Sequence, residues 1–111
     1  MHHVTAMLET HPHATATEAL ARCIQECFVC ALTCTSCADA CLAEEQVEGL
    51  VRCIRLNLDC ADVCDATGRV LARQTKSEPR LAQSILEACA QACRALRPAV
   101  GAAPSARRAA A

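Results

Sequence analysis

Aromatic residues are almost absent from this chain of 111 residues, since Phe28 is the only one and neither Trp nor Tyr occurs. The length indicates one domain with a modest core. Large rings normally supply much of the apolar surface that such a core buries. Another residue type must therefore fill and fix the interior.

Several signals for location and partners are also missing. The net charge is −1, with eleven basic and twelve acidic residues, and no basic stripe argues for nucleic-acid binding. No apolar run approaches the ~20 residues that span a membrane. The N-terminal stretch MHHVTAMLETHPHATATEAL has neither the basic region nor the apolar core of a signal peptide. We therefore expect a reduced cytoplasmic protein that binds neither nucleic acid nor membrane.

Cysteine is the residue type that is abundant, with eleven in the chain. Such density is typical of secreted, loop-rich disulfide scaffolds. The stretch CIQECFVCALTCTSCADAC, residues 23–41, instead separates its cysteines by four, three, four, three and four residues. Alternating steps of three and four residues are typical of the helix face that packs against a neighbouring helix, which we call the seam. The spacing therefore predicts a stripe of sulfur along one helix face, roughly 27 Å long.

The same rhythm predicts an all-α fold, an antiparallel helical bundle with three long helices and a short N-terminal helix. The short helix is expected within residues 1–12. Thr15 and Glu18 fit a capping box that begins the first long helix, which runs to about Ala43. A second long helix is expected over about residues 47–74.

The third long helix is expected over about residues 78–97, with Ser77 as its N-cap and Pro98 as its end. The sequence that follows, AVGAAPSARRAAA, is a low-complexity stretch rich in Ala and predicts a disordered tail. The chain is therefore expected to divide into a bundle domain at residues 1–98 and a tail at residues 99–111.

Short connections make neighbouring helices antiparallel and so sort the seam residues along the bundle. One end is expected to contain Leu20, Leu71 and Leu86. The other end is expected to contain Cys41, Cys53 and Cys93. Charged residues, among them Arg22 and Glu26, are expected on a solvated outer face without a functional role.

Packing alone does not explain why the chain has so many cysteines on its helix seams. Any one cysteine can serve as a small apolar core residue, but three helices aim cysteine at a common axis. Disulfides within a helix are disfavoured, because Cβ atoms three or four residues apart lie about 5–6 Å apart and a relaxed disulfide needs about 3.8 Å. An odd number of cysteines also leaves one without an intramolecular partner.

Redox and iron–sulfur motifs fit less well than metal binding. The segments CFVC and CTSC match the C-x-x-C redox motif. Such motifs normally accompany a βαβ pattern and need an exposed thiol of low pKa. The iron–sulfur run that ends in Cys-Pro is absent from the sequence. A thiol redox protein remains as an alternative of a different class.

Thiolates select soft metals, among which Cu(I) and Zn²⁺ are the candidates here. Zinc bound by four thiolates leaves a buried net negative charge, which is costly. Cu(I) accepts two or three thiolates, and bonds of about 2.3 Å let a two-coordinate ion join sulfurs roughly 4.6 Å apart. One Cu(I) per thiolate leaves a neutral column, so the stripe favours many Cu(I) ions. A metallothionein-like Zn²⁺ or Cd²⁺ buffer is the alternative.

Four stretches, CTSCADACL, LVRCIRLNLDCADVCDA, VLARQT and ILEACAQACRA, resemble the cytosolic copper storage proteins, whose four-helix bundles are lined with cysteine. The stretches cover most of residues 20–95. The resemblance implies storage of many Cu(I) ions without catalysis, in a homotetramer. It also implies a ligand role for all eleven cysteines, which are Cys23, Cys27, Cys30, Cys34, Cys37, Cys41, Cys53, Cys60, Cys64, Cys89 and Cys93.

The resemblance stops after ILEACAQACRA. The family continues with further cysteines, histidines in a loop and a fourth cysteine-bearing helix, whereas this chain reads LRPAVGAAPSARRAAA. Three amphipathic helices leave one side of the thiol-lined groove open, and a large exposed apolar strip is unusual for a soluble monomer. We therefore expect a homo-oligomer, either a symmetric dimer or the tetramer of the family.

Two features leave alternatives open. Asn57 stands at a seam position of the second helix, where its amide either donates to a sulfur or is a satisfied polar core residue. The histidines near the N-terminus are interpreted as surface residues, with a copper relay as the alternative; they are His2, His3, His11 and His13.

Overall fold

Helices and short connections make up the computed structural model, which describes residues 2–15 and 17–102. Their order is α1 (His2–Glu9), α2 (Thr17–Leu42), a 3₁₀ helix (Val47–Leu50), α3 (Val51–Ala72) and α4 (Pro79–Ala102). No β-strand occurs in these ranges, so the predicted all-α fold is confirmed. In the same part of the chain, no helix is both long enough and apolar enough to cross a bilayer.

Contacts between sulfur atoms show the directions of the helices. The Sγ atoms of Cys30 and Cys60 lie 3.9 Å apart, and those of Cys41 and Cys53 are also separated by 3.9 Å. Residue numbers therefore rise along α2 as they fall along α3, which makes these two helices antiparallel. By the same criterion α4 is antiparallel to α3.

Helix α3 is the centre of the arrangement. It packs against both α2 and α4, whereas α2 and α4 make at most a marginal contact with each other. The three helices therefore occupy three corners of a four-helix arrangement, and a groove remains between α2 and α4.

Helix α1 closes one end of the molecule with apolar side chains. Leu8 is buried against Ala21 and Ile24 of α2 and against Leu71 of α3. Leu20 packs against the same cluster, as predicted for this end. Leu86 does not, since 39% of its surface is exposed and it faces the open groove. The short helix predicted within residues 1–12 is α1, and residue 1 lies outside the described residues.

Two predicted helix starts need adjustment. The first long helix begins at Thr17, and the predicted capping box spans position 16, which lies outside the described residues. The helix predicted over about residues 47–74 is divided, because its first turn is the 3₁₀ helix and α3 ends at Ala72.

Glu78, and not Ser77, caps the start of α4. The backbone N–H of Arg80 donates to Oε1 of Glu78 at 3.0 Å, and the N–H of Ala82 donates to the Glu78 carbonyl at 3.1 Å. Pro79 then occupies the first helical position, where a backbone N–H has no partner within the helix and its loss costs nothing.

Pro98 does not end α4, contrary to the prediction, since the helix continues to Ala102. Proline removes one backbone hydrogen bond, which here is the bond to the carbonyl of Arg94. Ala99 packs against the buried pair Cys41 and Cys53, and this packing offsets the loss. The first four residues of the predicted tail are thus helical, and its remainder lies outside the described residues. The domain boundary at residue 98 stays a prediction.

Candidate metal centre

Four thiols from three helices meet in the middle of the molecule. The Sγ atoms of Cys30 on α2, Cys60 and Cys64 on α3, and Cys93 on α4 all lie within 4.8 Å of one another. The Sγ of Cys60 is 3.9 Å from that of Cys30, 3.8 Å from that of Cys64 and 3.6 Å from that of Cys93. Such a group can hold a soft metal ion.

Further thiols extend this central set in both directions. The Sγ of Cys34 lies 3.8 Å from that of Cys30, and the Sγ of Cys89 lies 3.4 Å from that of Cys64. The thiol of Cys27 interacts with those of Cys89 and Cys23. We call this set the larger thiol group, which comprises Cys23, Cys27, Cys30, Cys34, Cys60, Cys64, Cys89 and Cys93.

A smaller thiol group lies where α2 meets the start of α3, and it consists of Cys37, Cys41 and Cys53. Cys41 is fully buried and Cys53 is 4% exposed, and Cys37 packs against both. Nδ2 of Asn57 donates to the carbonyl of Cys53 at 2.9 Å and to its Sγ at 3.4 Å. Both alternatives for Asn57 therefore hold, because it is a satisfied polar core residue that also donates to sulfur. It occupies the α3 seam between Cys53 and Cys60.

None of the eleven cysteines forms a disulfide. Burial is the main cause that raises the pKa of six thiols, and neighbouring thiols add to it because a second thiolate nearby is repelled. The pKa rises from 9.0 to about 12 for Cys27 and Cys34 and to about 11 for Cys53. The others whose pKa is raised are Cys37, Cys60 and Cys64. These thiols are protonated at neutral pH, so a bound metal must displace their protons.

Part of the larger thiol group faces the groove between α2 and α4. A cavity of about 310 Å³ lies there, lined by Cys23, Glu26, Cys27, Cys30, Cys64, Leu86, Cys89, Ala90 and Cys93. Glu26 was predicted on the outer face, and its place in the lining corrects that expectation. The signal was present in the sequence, because Glu26 follows Cys23 by three residues and precedes Cys30 by four, which places it beside the stripe.

Cys93 lies in the central set and not at the end with Cys41 and Cys53, where it was predicted. Ala82 of α4 packs in the cluster that contains Leu71 of α3. Cys93 and Cys60 lie equally far from this pair along their two helices, so they meet at the same height. The residues that connect α3 to α4 set this register.

The histidines lie apart from the thiols. The backbone N–H of His13 donates to Nδ1 of His11 at 3.0 Å, and both residues belong to the connection between α1 and α2. His3 is exposed on α1, and the side chain of His2 lies outside the description. The group of possible metal ligands found in the described part of the chain contains no histidine.

Solved structures similar to this one are copper storage proteins. The Streptomyces lividans copper storage protein Ccsp, loaded with 10 copper equivalents, is 43% identical with a TM-score of 0.86, and the match covers 94% of this chain and 84% of that chain. A structure of the cytosolic copper storage protein from the same organism with five coppers is 47% identical, with a TM-score of 0.76 and coverage of 81% and 78%.

A curated relative shares the cysteine-rich character. The cysteine-rich protein YhjQ of Bacillus subtilis (strain 168) is 38% identical over 73 residues, which are 66% of this chain and 64% of that protein. The chain thus spans less than two thirds of the length of that relative. Residues 16–110 match the profile of a family described as copper storage protein. Because this match covers most of the sequence and agrees with the thiol-lined helices, the chain belongs to the copper storage protein family.

Proposed function

We propose that this protein stores Cu(I), many ions at a time, on the thiolates of its eleven cysteines. The observation that carries the proposal is a series of sulfur–sulfur separations of 3.4 to 4.0 Å that crosses three helices. A Cu(I) ion bound by three thiolates at about 2.3 Å holds them roughly 4.0 Å apart. The apo spacing therefore needs little change to accept the ion.

Charge balance favours the binding of Cu(I) along the whole series of thiols. Each Cu(I) replaces one thiol proton, so the buried interior stays neutral as ions are added. A divalent ion bound by more than two thiolates leaves a net negative charge in the protein interior, where an uncompensated charge is costly. The Streptomyces lividans relative carries 10 copper equivalents, and we propose a comparable multi-ion load here.

The role we propose is a cytoplasmic one, without catalytic turnover, in a homo-oligomer. The relative with five coppers is a cytosolic copper storage protein. A thiol redox enzyme needs an exposed thiol of low pKa, whereas burial raises the pKa of Cys27, Cys34, Cys53 and three further thiols in this chain.

An anaerobic titration with Cu(I) against a chromogenic Cu(I) chelator tests the proposal. We expect saturation near or above eleven ions per chain, the number of thiols. Replacing Cys37, Cys41 and Cys53 by Ala should lower the stoichiometry by at least the number of thiols removed and leave the larger group loaded. Saturation at one or two ions contradicts storage.

A Zn²⁺ or Cd²⁺ buffer is the second candidate, and the central thiols favour it. Tetrahedral zinc with bonds of about 2.3 Å holds its sulfurs roughly 3.8 Å apart. The Sγ of Cys60 lies 3.6 to 3.9 Å from three neighbouring sulfurs. Adding Cu(I) to the Zn²⁺-loaded protein separates the two functions, because storage requires that Cu(I) expels the zinc. Zinc that stays bound supports the buffer.

A further inference from the structure

Cys64 and Cys89 bring two sulfur atoms into contact across the interface between α3 and α4. Their Sγ atoms are 3.4 Å apart. Four other sulfur pairs that join two helices are separated by 3.6 to 4.0 Å. A disulfide bond is about 2.05 Å long, so these two sulfurs need to approach by only about 1.4 Å to form one.

Packing on both sides of this pair fixes its position. Leu71 of α3 and Ala82 of α4 belong to one apolar cluster. Cys64 and Cys89 each lie seven residues from that contact along their own helices, so they stand at the same height. On the other side, Leu96 packs in the cluster that contains Cys64. The two sulfurs are therefore held together by the interface of α3 with α4, whatever covers the groove between α2 and α4.

We propose that Cys64 and Cys89 form a site of oxidative modification, at which a hydroperoxide converts the two thiols into a disulfide that joins α3 to α4. The disulfide removes two sulfur ligands from the larger thiol group, so the oxidised chain cannot take up its full load of Cu(I). This effect on uptake rests on the proposed storage function, whereas the formation of the disulfide does not.

The reaction consumes one peroxide for each disulfide. One sulfur of the pair attacks a peroxide oxygen, the O–O bond breaks, water leaves and a sulfenic acid remains. The partner sulfur then attacks the sulfenic sulfur, and the oxygen leaves as a second water with the remaining thiol proton. The two thiols lose two electrons, which the peroxide gains. Because the thiolate is the reactive form and burial raises the pKa of Cys64, mildly alkaline solution speeds the reaction.

Other pairings of the same sulfurs are less favourable. Cys60 and Cys64 lie one turn apart on α3, where a disulfide within the helix is strained. The Sγ atoms of Cys64 and Cys93 are 4.0 Å apart. Cys89 also interacts with Cys27 of α2, so a bond between Cys27 and Cys89 is the main competitor that an experiment must distinguish.

Peptide mapping of the full-length, reduced, metal-free chain after treatment with hydrogen peroxide tests the site. The remaining free thiols are alkylated, and trypsin then places residues 23–52, 56–69 and 81–94 in different peptides. We expect an early cross-link between peptides 56–69 and 81–94. Tandem mass spectrometry of this product should find Cys60 and Cys93 alkylated, which assigns the bond to Cys64 and Cys89.

Two variants of α4 provide a matched comparison. Cys89→Ser should abolish the early cross-link between α3 and α4, and Cys93→Ser should leave its rate unchanged. The comparison is fair because both thiols lie on α4 and both are half-buried. Circular dichroism checks that both variants fold, and the map of the wild-type chain decides the assignment without either of them.

Copper uptake gives a second readout. In the chelator titration, the cross-linked chain should bind fewer Cu(I) ions than the reduced chain, by at least the number of thiols consumed. Dithiothreitol should restore the loss. By linkage, Cu(I) bound to these thiolates opposes the disulfide, so the copper-loaded chain should cross-link more slowly than the metal-free chain.

Two results of the mapping overturn the site: peptides 56–69 and 81–94 that stay unlinked while other thiols are oxidised, or a first cross-link that contains Cys27, Cys60 or Cys93. A cross-linked chain that loads as much Cu(I) as the reduced chain overturns the effect on uptake. The mapping uses no copper, so its failure leaves the proposed storage function standing. Conversely, a reduced chain that saturates at one or two ions contradicts storage and leaves the disulfide standing.

Discussion

A single thiol in this protein is governed first by its burial and then by its neighbours. Cys64 is 1% exposed, and its sulfur lies 3.4 Å from that of Cys89 and 3.8 Å from that of Cys60. Loss of water is the main cause that raises the pKa of this thiol, and the sulfur atoms around it add to the effect. Each such sulfur holds its proton until a cation replaces it, which suits the storage of a soft metal ion.

The stability of the apo protein should fall in alkaline solution. The pKa in the folded state is about 12 for Cys27 and Cys34 and about 11 for Cys53, against 9.0 for an ordinary thiol. Because the pKa is higher in the folded state, folding favours the protonated thiols. Their contribution to the free energy of unfolding is complete below pH 9 and is lost as the pH rises toward 12. Urea unfolding of the reduced, copper-free protein between neutral pH and about pH 10 measures this.

The control for this prediction is the variant with Cys27 and Cys34 replaced by Ser, because a serine hydroxyl does not titrate in this range. Its free energy of unfolding should depend less on pH than that of the wild type. A wild-type stability that stays level or rises above pH 9 contradicts the prediction.

Helix α3 carries the most buried seam among the described helices. Its buried residues include Cys53, Asn57, Cys60, Cys64 and Thr67. The hydroxyl of Thr67 donates to the carbonyl of Val63 at 2.6 Å, so this buried polar group is satisfied. Because α3 is covered on both sides, it is the element against which α2 and α4 are positioned.

The packing of α2 on α3 depends on Gly68. A Cβ atom added at this position would lie 2.9 Å from Cε2 and from Cζ of Phe28, the only Phe, Tyr or Trp residue in the chain. Contacts this short force the ring to move, and overpacking of this kind costs about 1–3 kcal/mol. Glycine within a helix is itself less favourable than Ala by about 1 kcal/mol, so the ring accounts for its presence.

Gly68→Ala should lower the free energy of unfolding by about 1 kcal/mol, because the clash with Phe28 exceeds the gain in helix propensity. In a Phe28→Leu background the same substitution should instead stabilise the protein, since the ring is gone. Urea unfolding of the four proteins of this double-mutant cycle measures the coupling. Equal effects of Gly68→Ala in both backgrounds contradict the predicted clash.

At the scale of the whole molecule, the described helices form a core that does not require metal. Leu8, Ile24 and Leu71 form an apolar end, and Leu96 packs with the buried cysteines in the middle. Among the described residues, every buried side-chain nitrogen or oxygen has a hydrogen-bond partner. The fold therefore does not depend on copper to satisfy its interior.

We expect the reduced, metal-free protein to be largely helical in circular dichroism. Protonated cysteine packs as a small apolar residue, so the cysteine-bearing helix faces can pack against one another before metal binds. Copper should then raise the unfolding temperature, because it binds the native state in preference. A random-coil spectrum that becomes helical only with Cu(I) contradicts this and shows that folding is coupled to binding.

The sequence by itself determined the helices and the identity of the candidate ligands. The steps of three and four between Cys23 and Cys41 are a local period, and a local period predicts a helix and one of its faces without knowledge of any partner. The apolar end with Leu20 and Leu71 followed from the same period and from short connections, and the structure confirms it.

Only the tertiary structure decided which thiols meet and what lies open. Cys93 faces Cys60 because the connection before α4 sets the register between two helices, and no local pattern encodes that register. Pro98 stays within α4 because Ala99 packs on Cys41 and Cys53, distant in sequence, and this contact outweighs a local helix-breaking signal. Glu26 borders the groove because α2 and α4 stand apart across α3. Each of these outcomes depends on the distance between helices, which sequence periodicity does not contain.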